Sequence, residues 1–201
     1  MRLNSQAALH TADRTNTFDW IMDVSAERGL KSAFHFICGC TDASKDADYE
    51  LEHPAICHLM RRIYAHGYEI GLQPSYGSYQ SPGIIVTKAT RLRRIAQAEN
   101  IITQSEWGSR MHYMRWEQST TLQAWEQASM SYDSTLSYTD RLGFGYDTFF
   151  EYSEFDPMAG KVLKLRIRPL IATEGMAMVP RYMGLGSSEA VVIKFAQLKN
   201  A

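Results

Sequence analysis

No stretch of this chain approaches the ~18–20 apolar residues that span a bilayer. Its amino terminus, Met1-Arg2-Leu3-Asn4-Ser5-Gln6, lacks the apolar segment of a secretory signal. The two absences set the expectation of a cytoplasmic protein with no membrane span. Charge of one sign is missing as well: 21 Lys and Arg face 22 Asp and Glu, a net charge of −1, which argues against a nucleic-acid surface. The basic cluster Arg91, Arg93 and Arg94 reads as the solvated face of a helix. Cysteine is sparse and odd in number, Cys38, Cys40 and Cys57, so there is no disulfide framework. Cys38-Gly39-Cys40 is too tight for the usual zinc-knuckle spacing, and free thiols are expected. No Gly-x-Ser-x-Gly elbow occurs, and Ser75 follows Pro74 as a loop residue would. Gly184-Leu185-Gly186-Ser187-Ser188 lacks the Lys of a phosphate loop and reads as a serine-capped helix start. There is no internal repeat, low-complexity tract or linker, so 201 residues, 45% of them hydrophobic, are expected to form one domain over 1–201.

What is present is a rhythm of helix and strand. Thr17 offers an N-cap before Phe18, Trp20, Ile21 and Val24, and Gly29 a stop, which predicts a helix over 17–28. Residues 32–37 form a short apolar run that suits a buried strand, and the acidic, aperiodic stretch 41–53 a surface loop. Pro54 opens a helix on Ile56, Leu59, Met60 and Ile63 that ends at Gly67. A strand over 68–72, a helix over 83–99, a strand and loop through 110–116, a helix around Leu122 and Trp125 and a short strand over 130–135 continue a parallel α/β pattern. Beyond it, 143–160 reads as aromatic loop, 162–167 alternates like a half-exposed strand, and 188–199 reads as a terminal helix.

Strand ends that run into polar loops are where such folds carry chemistry. Residues 67–79 are the strongest case, a short apolar strand leading into Gln73-Pro74-Ser75-Tyr76-Gly77-Ser78-Tyr79. Arg110-x-His112-Tyr113-x-Arg115-Trp116 and Tyr132-Asp133-Ser134-Thr135-Leu136 are two more. Arg110, His112 and Asp133 are the candidate catalytic residues. His112 reads equally as pocket-lining or structural, Arg110 as orienting a carboxylate or closing a buried ion pair, and Asp133 as a substrate or Arg partner or a turn cap. Ser75, Tyr76, Tyr113, Arg115 and Trp116 are the candidate substrate contacts, since aromatic rings stack on sugar faces. Tyr79 and Tyr146 are further rings of this kind. His35, between Phe34 and Phe36, reads as a core or interface residue, and His53, His58 and His66 as solvated.

These blocks resemble the polysaccharide deacetylase family, the NodB-homology type of carbohydrate esterase. The branch linked to bacterial surface-polysaccharide biosynthesis typically reads His/Tyr-Glu-Ile-Gly-Leu-His-Pro-Ser-Tyr where this chain has 68–76. The likeness runs through 17–37, 67–79, 108–116, 131–144, 154–170 and 181–186, nearly the whole chain. It implies a distorted (β/α) barrel, and a zinc or other divalent metal held by one aspartate and two histidines. The implied reaction is hydrolysis of N-acetyl or O-acetyl groups on a sugar or polysaccharide precursor for capsule or O-antigen, with a metal-bound water as attacking group.

The chain departs from that pattern where the chemistry lies. Gln73 stands at the histidine-ligand position and Gly77 at the position four residues on, and the first sixteen residues offer only Asp13 toward the family's aspartate pair. The family's late strand with its acid histidine has no counterpart before Asn200-Ala201, and its Gly-Phe-Arg-Cys-Gly-Thr block appears as Gly143-Phe144-Gly145-Tyr146-Asp147-Thr148. The expectation is therefore an incomplete NodB-like barrel with no metal ligand set of the family kind, truncated at both ends. Its activity would be impaired, or it would be a non-catalytic glycan-binding or assembly subunit. Sheet edges left by missing strands would call for a homo-oligomer or another partner. Alternative ligands, His112 with Asp133 or Asp147, are a third reading.

Overall fold

The computed structural model describes residues 16–199. Asp13, named above, and the terminal Asn200 and Ala201 lie outside the described residues. The order is α1 (Phe18–Glu27), β1 (Ala33–Cys38), α2 (Pro54–Ala65), β2 (Glu69–Pro74), α3 (Pro82–Ala98), β3 (Gly108–Ser109), α4 (Gln118–Gln127), β4 (Tyr132–Asp133), β5 (Tyr152–Asp156), β6 (Lys161–Ile167), α5 (Glu174–Met178) and α6 (Glu189–Lys199). The strands form one open sheet in the order β1-β2-β3-β4-β6-β5. All neighbours are parallel except the β5–β6 hairpin. The α/β class and single-chain rhythm expected from the sequence are present, and the sheet does not close. Among the described residues no helix is long and apolar enough to cross a membrane.

Helices α1 to α4 stop by one device. In α1, Leu30 N–H donates to Ser25 O (2.8 Å) and Gly29 N–H to Ala26 O (3.1 Å); in α2, Tyr68 N–H donates to Ile63 O (3.1 Å) and Gly67 N–H to Tyr64 O (2.9 Å). This paired pattern needs a left-handed residue just past the helix, and Gly29 (φ 63°) and Gly67 (φ 77°) supply it. α3 and α4 end the same way on Asn100 (φ 61°) and Ser129 (φ 51°). Each junction turns the chain back toward the sheet. The starts differ: Pro54 and Pro82 occupy first-turn positions, and the His53 side chain caps α2 by accepting from Ala55 N–H (3.2 Å). His53 is thus a cap as well as a loop residue, and the His66 ring bonds Arg62 O (2.8 Å).

The arginines of α3 find partners within the chain. Arg91 pairs with Glu50 and Glu52, Arg94 with Glu52, and Arg93 donates to Ala128 O (2.6 Å) and Ser129 O (2.8 Å) at the C-terminus of α4.

One face of the sheet is covered by helices. Phe36, Cys38, Ile70, Leu72, Leu165 and Ile167 pack there with Met60, Ile63, Ile85, Leu92, Leu122 and Trp125 in a single buried core. The opposite face is polar. One rung of it carries His35, Gly71, Gly108, Tyr132 and Arg166; the next, at the C-terminal ends of the strands, carries Ile37, Gln73, Arg110, Ser134 and Arg168. A methyl group on Gly71 would come within 2.4 Å of the His35 ring, and one on Gly108 within 2.1 Å of Tyr132. The two rings therefore lie over the glycines of the adjacent strands.

The stretch 143–160, expected as loop, contains β5. Its residues alternate only weakly, and Phe155 faces solvent, so no apolar period marks it. Pairing with the strongly alternating β6 across the Asp156-Pro157-Met158-Ala159-Gly160 turn makes it a strand. The strand expected over 130–135 is reduced to Tyr132 and Asp133. β1 and β5 are the edges, and on β1 the Ile37 N–H donates to Tyr49 Oη (2.8 Å).

Candidate functional site

The C-terminal ends of β1, β2, β3 and β4 bring the candidate residues into three groups rather than one. The first surrounds His112, which follows β3 in a single 3-10 turn (His112–Met114). Its Nε2 lies 2.9 Å from Lys45 O and its Nδ1 2.9 Å from Gln73 Nε2. A carbonyl oxygen only accepts, so Nε2 carries the proton; Nδ1 is then the acceptor and Gln73 presents its amide N–H. Both ring nitrogens are engaged. Tyr113 follows with φ 56° and Met114 with φ 53°, two successive left-handed residues that are not glycine. Such backbone is costly and concentrates at ligand sites. Its consequence here is to hold the Tyr113 ring outward, 61% exposed, edge-on to Tyr76 with 5.3 Å between ring centroids.

Tyr76 is gripped by cations. The Arg115 guanidinium lies 4.1 Å from its ring centroid and 3.9 Å from that of Tyr79, the Lys45 ammonium 4.7 Å from Tyr76, and Arg115 Nη1 donates to Tyr76 O (3.0 Å). Tyr76, Tyr113 and Arg115 make a platform beside the Gln73–His112 pair.

Beneath the platform is a closed hydrogen-bond network. The Asp46 carboxylate accepts from Thr41 N–H (2.7 Å), Asp42 N–H (2.8 Å), Thr41 Oγ1 (3.1 Å) and Tyr76 N–H (2.6 Å), with His112 Nε2 3.9 Å away. Burial opposes its charge, but the backbone donors outweigh it and hold the carboxyl below its usual range. Ser75 is 1% exposed: Lys88 Nζ donates to it (2.7 Å), and Thr41 Oγ1 (3.0 Å) and Ser78 Oγ (2.9 Å) adjoin it. Lys88 also donates to Cys38 O, and burial pushes its pKa down. Ser75 thus fixes the loop from inside and presents no open surface. Asp46, Thr41, Lys45 and Lys88 were not singled out in the sequence, because the acidic stretch 41–53 has no period and α3 shows only its apolar stripe.

Asp133 and Trp116 form the second group, on the helix side of the sheet. Asp133 is fully buried beside Ser109 and Ile167; its Oδ1 accepts from Thr135 N–H (3.0 Å) and from Thr135 Oγ1. Burial raises its pKa to about 6, opposed by Thr135 and by the indole N–H groups of Trp125 and Trp116. None of Oδ2 and the two indole Nε1 atoms completes a regular hydrogen bond. Trp116 therefore packs against the core and is separate from the Tyr76–Tyr113 platform, and Asp133 is a structural carboxylate on the face away from Gln73 and Arg110.

Arg110 belongs to the third group, on the polar face next to Gln73. Its Nε donates to Ser134 O and Oγ, both at 3.2 Å, and burial depresses its pKa. His35 lies one rung below on β1, with β2 between it and β3. Burial first, then the charges of Arg110 and Arg168, push its pKa to about 3, so the imidazole is neutral, and its Nε2 has no partner.

These residues do not fit a metal. The lone pair a cation would take on His112 is held by Gln73, an amide is not among the usual zinc donors, and the nearby Asp46 carboxylate is saturated by backbone and hydroxyl donors. Among the described residues no group of three or more His, Cys, Asp or Glu side chains could hold a metal ion, and the ligand set of His112 with Asp133 or Asp147 is not assembled. The chain matches no protein-family model, no curated protein and no solved structure.

Proposed function

We propose that this chain is a polysaccharide deacetylase-like protein, a NodB-type barrel left open, whose strand-end site binds an acetylated sugar or polysaccharide precursor without hydrolysing it. The observation that carries the reading is the Gln73–His112–Lys45 chain of hydrogen bonds at the ends of β2 and β3, beside the exposed Tyr113 ring. Among the described residues the Gln73 side chain bonds only His112, which leaves its Oε1 and second N–H for a ligand. A carboxamide of that kind pairs donor-to-acceptor with an acetamido group. The exposed Tyr113 ring, held against Tyr76, offers the flat apolar surface that a sugar face covers. The polar sheet face with its glycine-floored rung supports descent from a barrel whose lumen carried chemistry.

The test is calorimetric titration of the purified chain with N-acetylglucosamine tetramer, with and without EDTA and Zn²⁺, alongside measurement of released acetate. We expect binding that EDTA leaves unchanged, no acetate, and at least tenfold weaker binding in Tyr113→Ala. Acetate release that depends on Zn²⁺ would overturn the non-hydrolytic reading, and absence of any glycan binding would overturn the site itself.

A further inference from the structure

The guanidinium groups of the polar face are unequally served. Arg166 pairs with Glu106 and with Glu151 (3.2 Å), and Arg168 with Glu151 and Glu69 (4.0 Å) while its guanidinium lies 3.5 Å from the centroid of the Tyr132 ring. Arg110 forms no ion pair among the described residues. Only its Nε is bonded, to Ser134, so the two Nη groups, the fork that grips an oxyanion, are unclaimed. Asp133 and Glu174 act on Arg110 through space, but neither lies within ion-pair distance of it, and Asp133 is turned into the core with Thr135.

A half-buried guanidinium without a counter-charge is costly, and the cost falls when an anion arrives. On the rung below, the His35 and Tyr132 rings fill the space over Gly71 and Gly108, and His35 Nε2 is a second polar atom on this face without a partner. Gln73 is the adjacent residue on β2, since Leu72 pairs with Ser109 and the Arg110 N–H donates to Leu72 O (3.0 Å).

We infer that Arg110 binds an oxyanion carried by the sugar, so that the ligand is an anionic glycan, its acetamido group at Gln73 and its carboxylate or phosphate at Arg110. This rests on the glycan-binding reading above and names the class of ligand. The fork geometry suits both oxyanions, a uronic acid carboxylate and a sugar phosphate.

The experiment titrates the full chain with three probes of known charge: the neutral N-acetylglucosamine tetramer, a tetrasaccharide alternating glucuronate with N-acetylglucosamine, and N-acetylglucosamine 1-phosphate. At low salt at least one anionic probe is expected to bind tenfold or more tightly than its neutral counterpart, N-acetylglucosamine serving for the phosphate. The better of the two identifies the oxyanion. Arg110→Gln should bring charged and neutral ligands to within about twofold of each other. Arg110→Lys, which keeps the charge without the fork and is the gentler change, should retain only part of the preference. Equal affinities in the wild type, or a preference that survives Arg110→Gln, would overturn the inference while leaving neutral glycan binding intact. No binding of any probe would overturn it together with the reading on which it rests.

Discussion

The same few strands present two opposite surfaces. Along β2 the residues Ile70, Leu72 and Pro74 turn toward the helices and are buried, whereas Glu69 and Gln73 turn the other way with Gly71 between them. On β6, Leu163, Leu165 and Ile167 alternate with Lys164, Arg166 and Arg168. The helix face is largely apolar, with Asp133 at its centre and Asp156 at the β5 edge as buried carboxylates; the polar face is assembled from singly placed side chains on different strands. Stability is expected to reside in the first and specificity in the second. Substitutions on the two faces should therefore separate cleanly into those that move the unfolding transition and those that move ligand binding.

The largest effect should come from the helix face. Leu72 is fully buried between β1 and β3 and packs in the main core. Leu72→Ala removes its apolar contacts and leaves a cavity, which costs roughly 3–4 kcal/mol in well-packed cores. Urea unfolding should show a lower midpoint at unchanged slope. A loss below about 1 kcal/mol would mean that this face is loosely packed and would blunt the contrast.

This face was also the easier one to read. The apolar stripe of α2 and the runs at 32–37 and 68–72 led to elements within two residues of those observed, because burial leaves a period in sequence. The polar face leaves none. Gln73, Arg110 and Arg168 are far apart in the chain, and only the parallel register sets them on one rung. Asp133, read as a substrate or Arg partner or as a turn cap, caps its turn through Thr135 and lies on the helix face; Tyr132-Asp133-Ser134 is a polar-aromatic run whose inward and outward members cannot be told apart without knowing what lies on either side. His35, read as core or interface, is buried as expected, on the polar face and within reach of two arginine charges.

Asp133 tests the exception on the apolar side. An ordinary aspartate loses its proton near pH 4, whereas in the fold this one does so at about 6. Between these values the folded state holds a proton that the unfolded state has lost, so this group's contribution to stability falls as pH rises from 4 to 6 and is constant above. His35 works the other way: unfolded it takes a proton below about 6.5, folded only near 3, so its contribution falls as pH drops below 6.5. Asp46 and Glu52, held below their usual range, also lose stability on acidification. The wild-type profile is the sum of these terms, and a difference isolates one. Asp133→Asn is neutral throughout, so its stability relative to wild type should rise by roughly 1–2 kcal/mol between pH 5 and pH 7. A difference that is flat with pH would mean Asp133 is ionised in the fold and held by the two indoles.

The smallest change in stability, and the sharpest in function, should come from Gln73. Its bond to His112 is partly exposed, so Gln73→Ala should cost no more than about 1 kcal/mol. What it removes is the donor that occupies Nδ1. In the wild type the ring is fixed as the Nε2–H form between Gln73 and Lys45, and ring ¹⁵N shifts should report that single tautomer. In Gln73→Ala the Lys45 carbonyl alone remains, and binding of an acetamido sugar should weaken severalfold while the melting temperature barely moves. Gln73→His sharpens the same point, since it restores an imidazole where the resembling family has one. Asp46 remains saturated by its four donors and Asp133 remains on the other face, so added Zn²⁺ should still release no acetate from the acetylated tetramer. Clear Zn²⁺-dependent turnover by this single variant would mean that the polar face holds ligands beyond those described, and that the glutamine alone separates binding from hydrolysis.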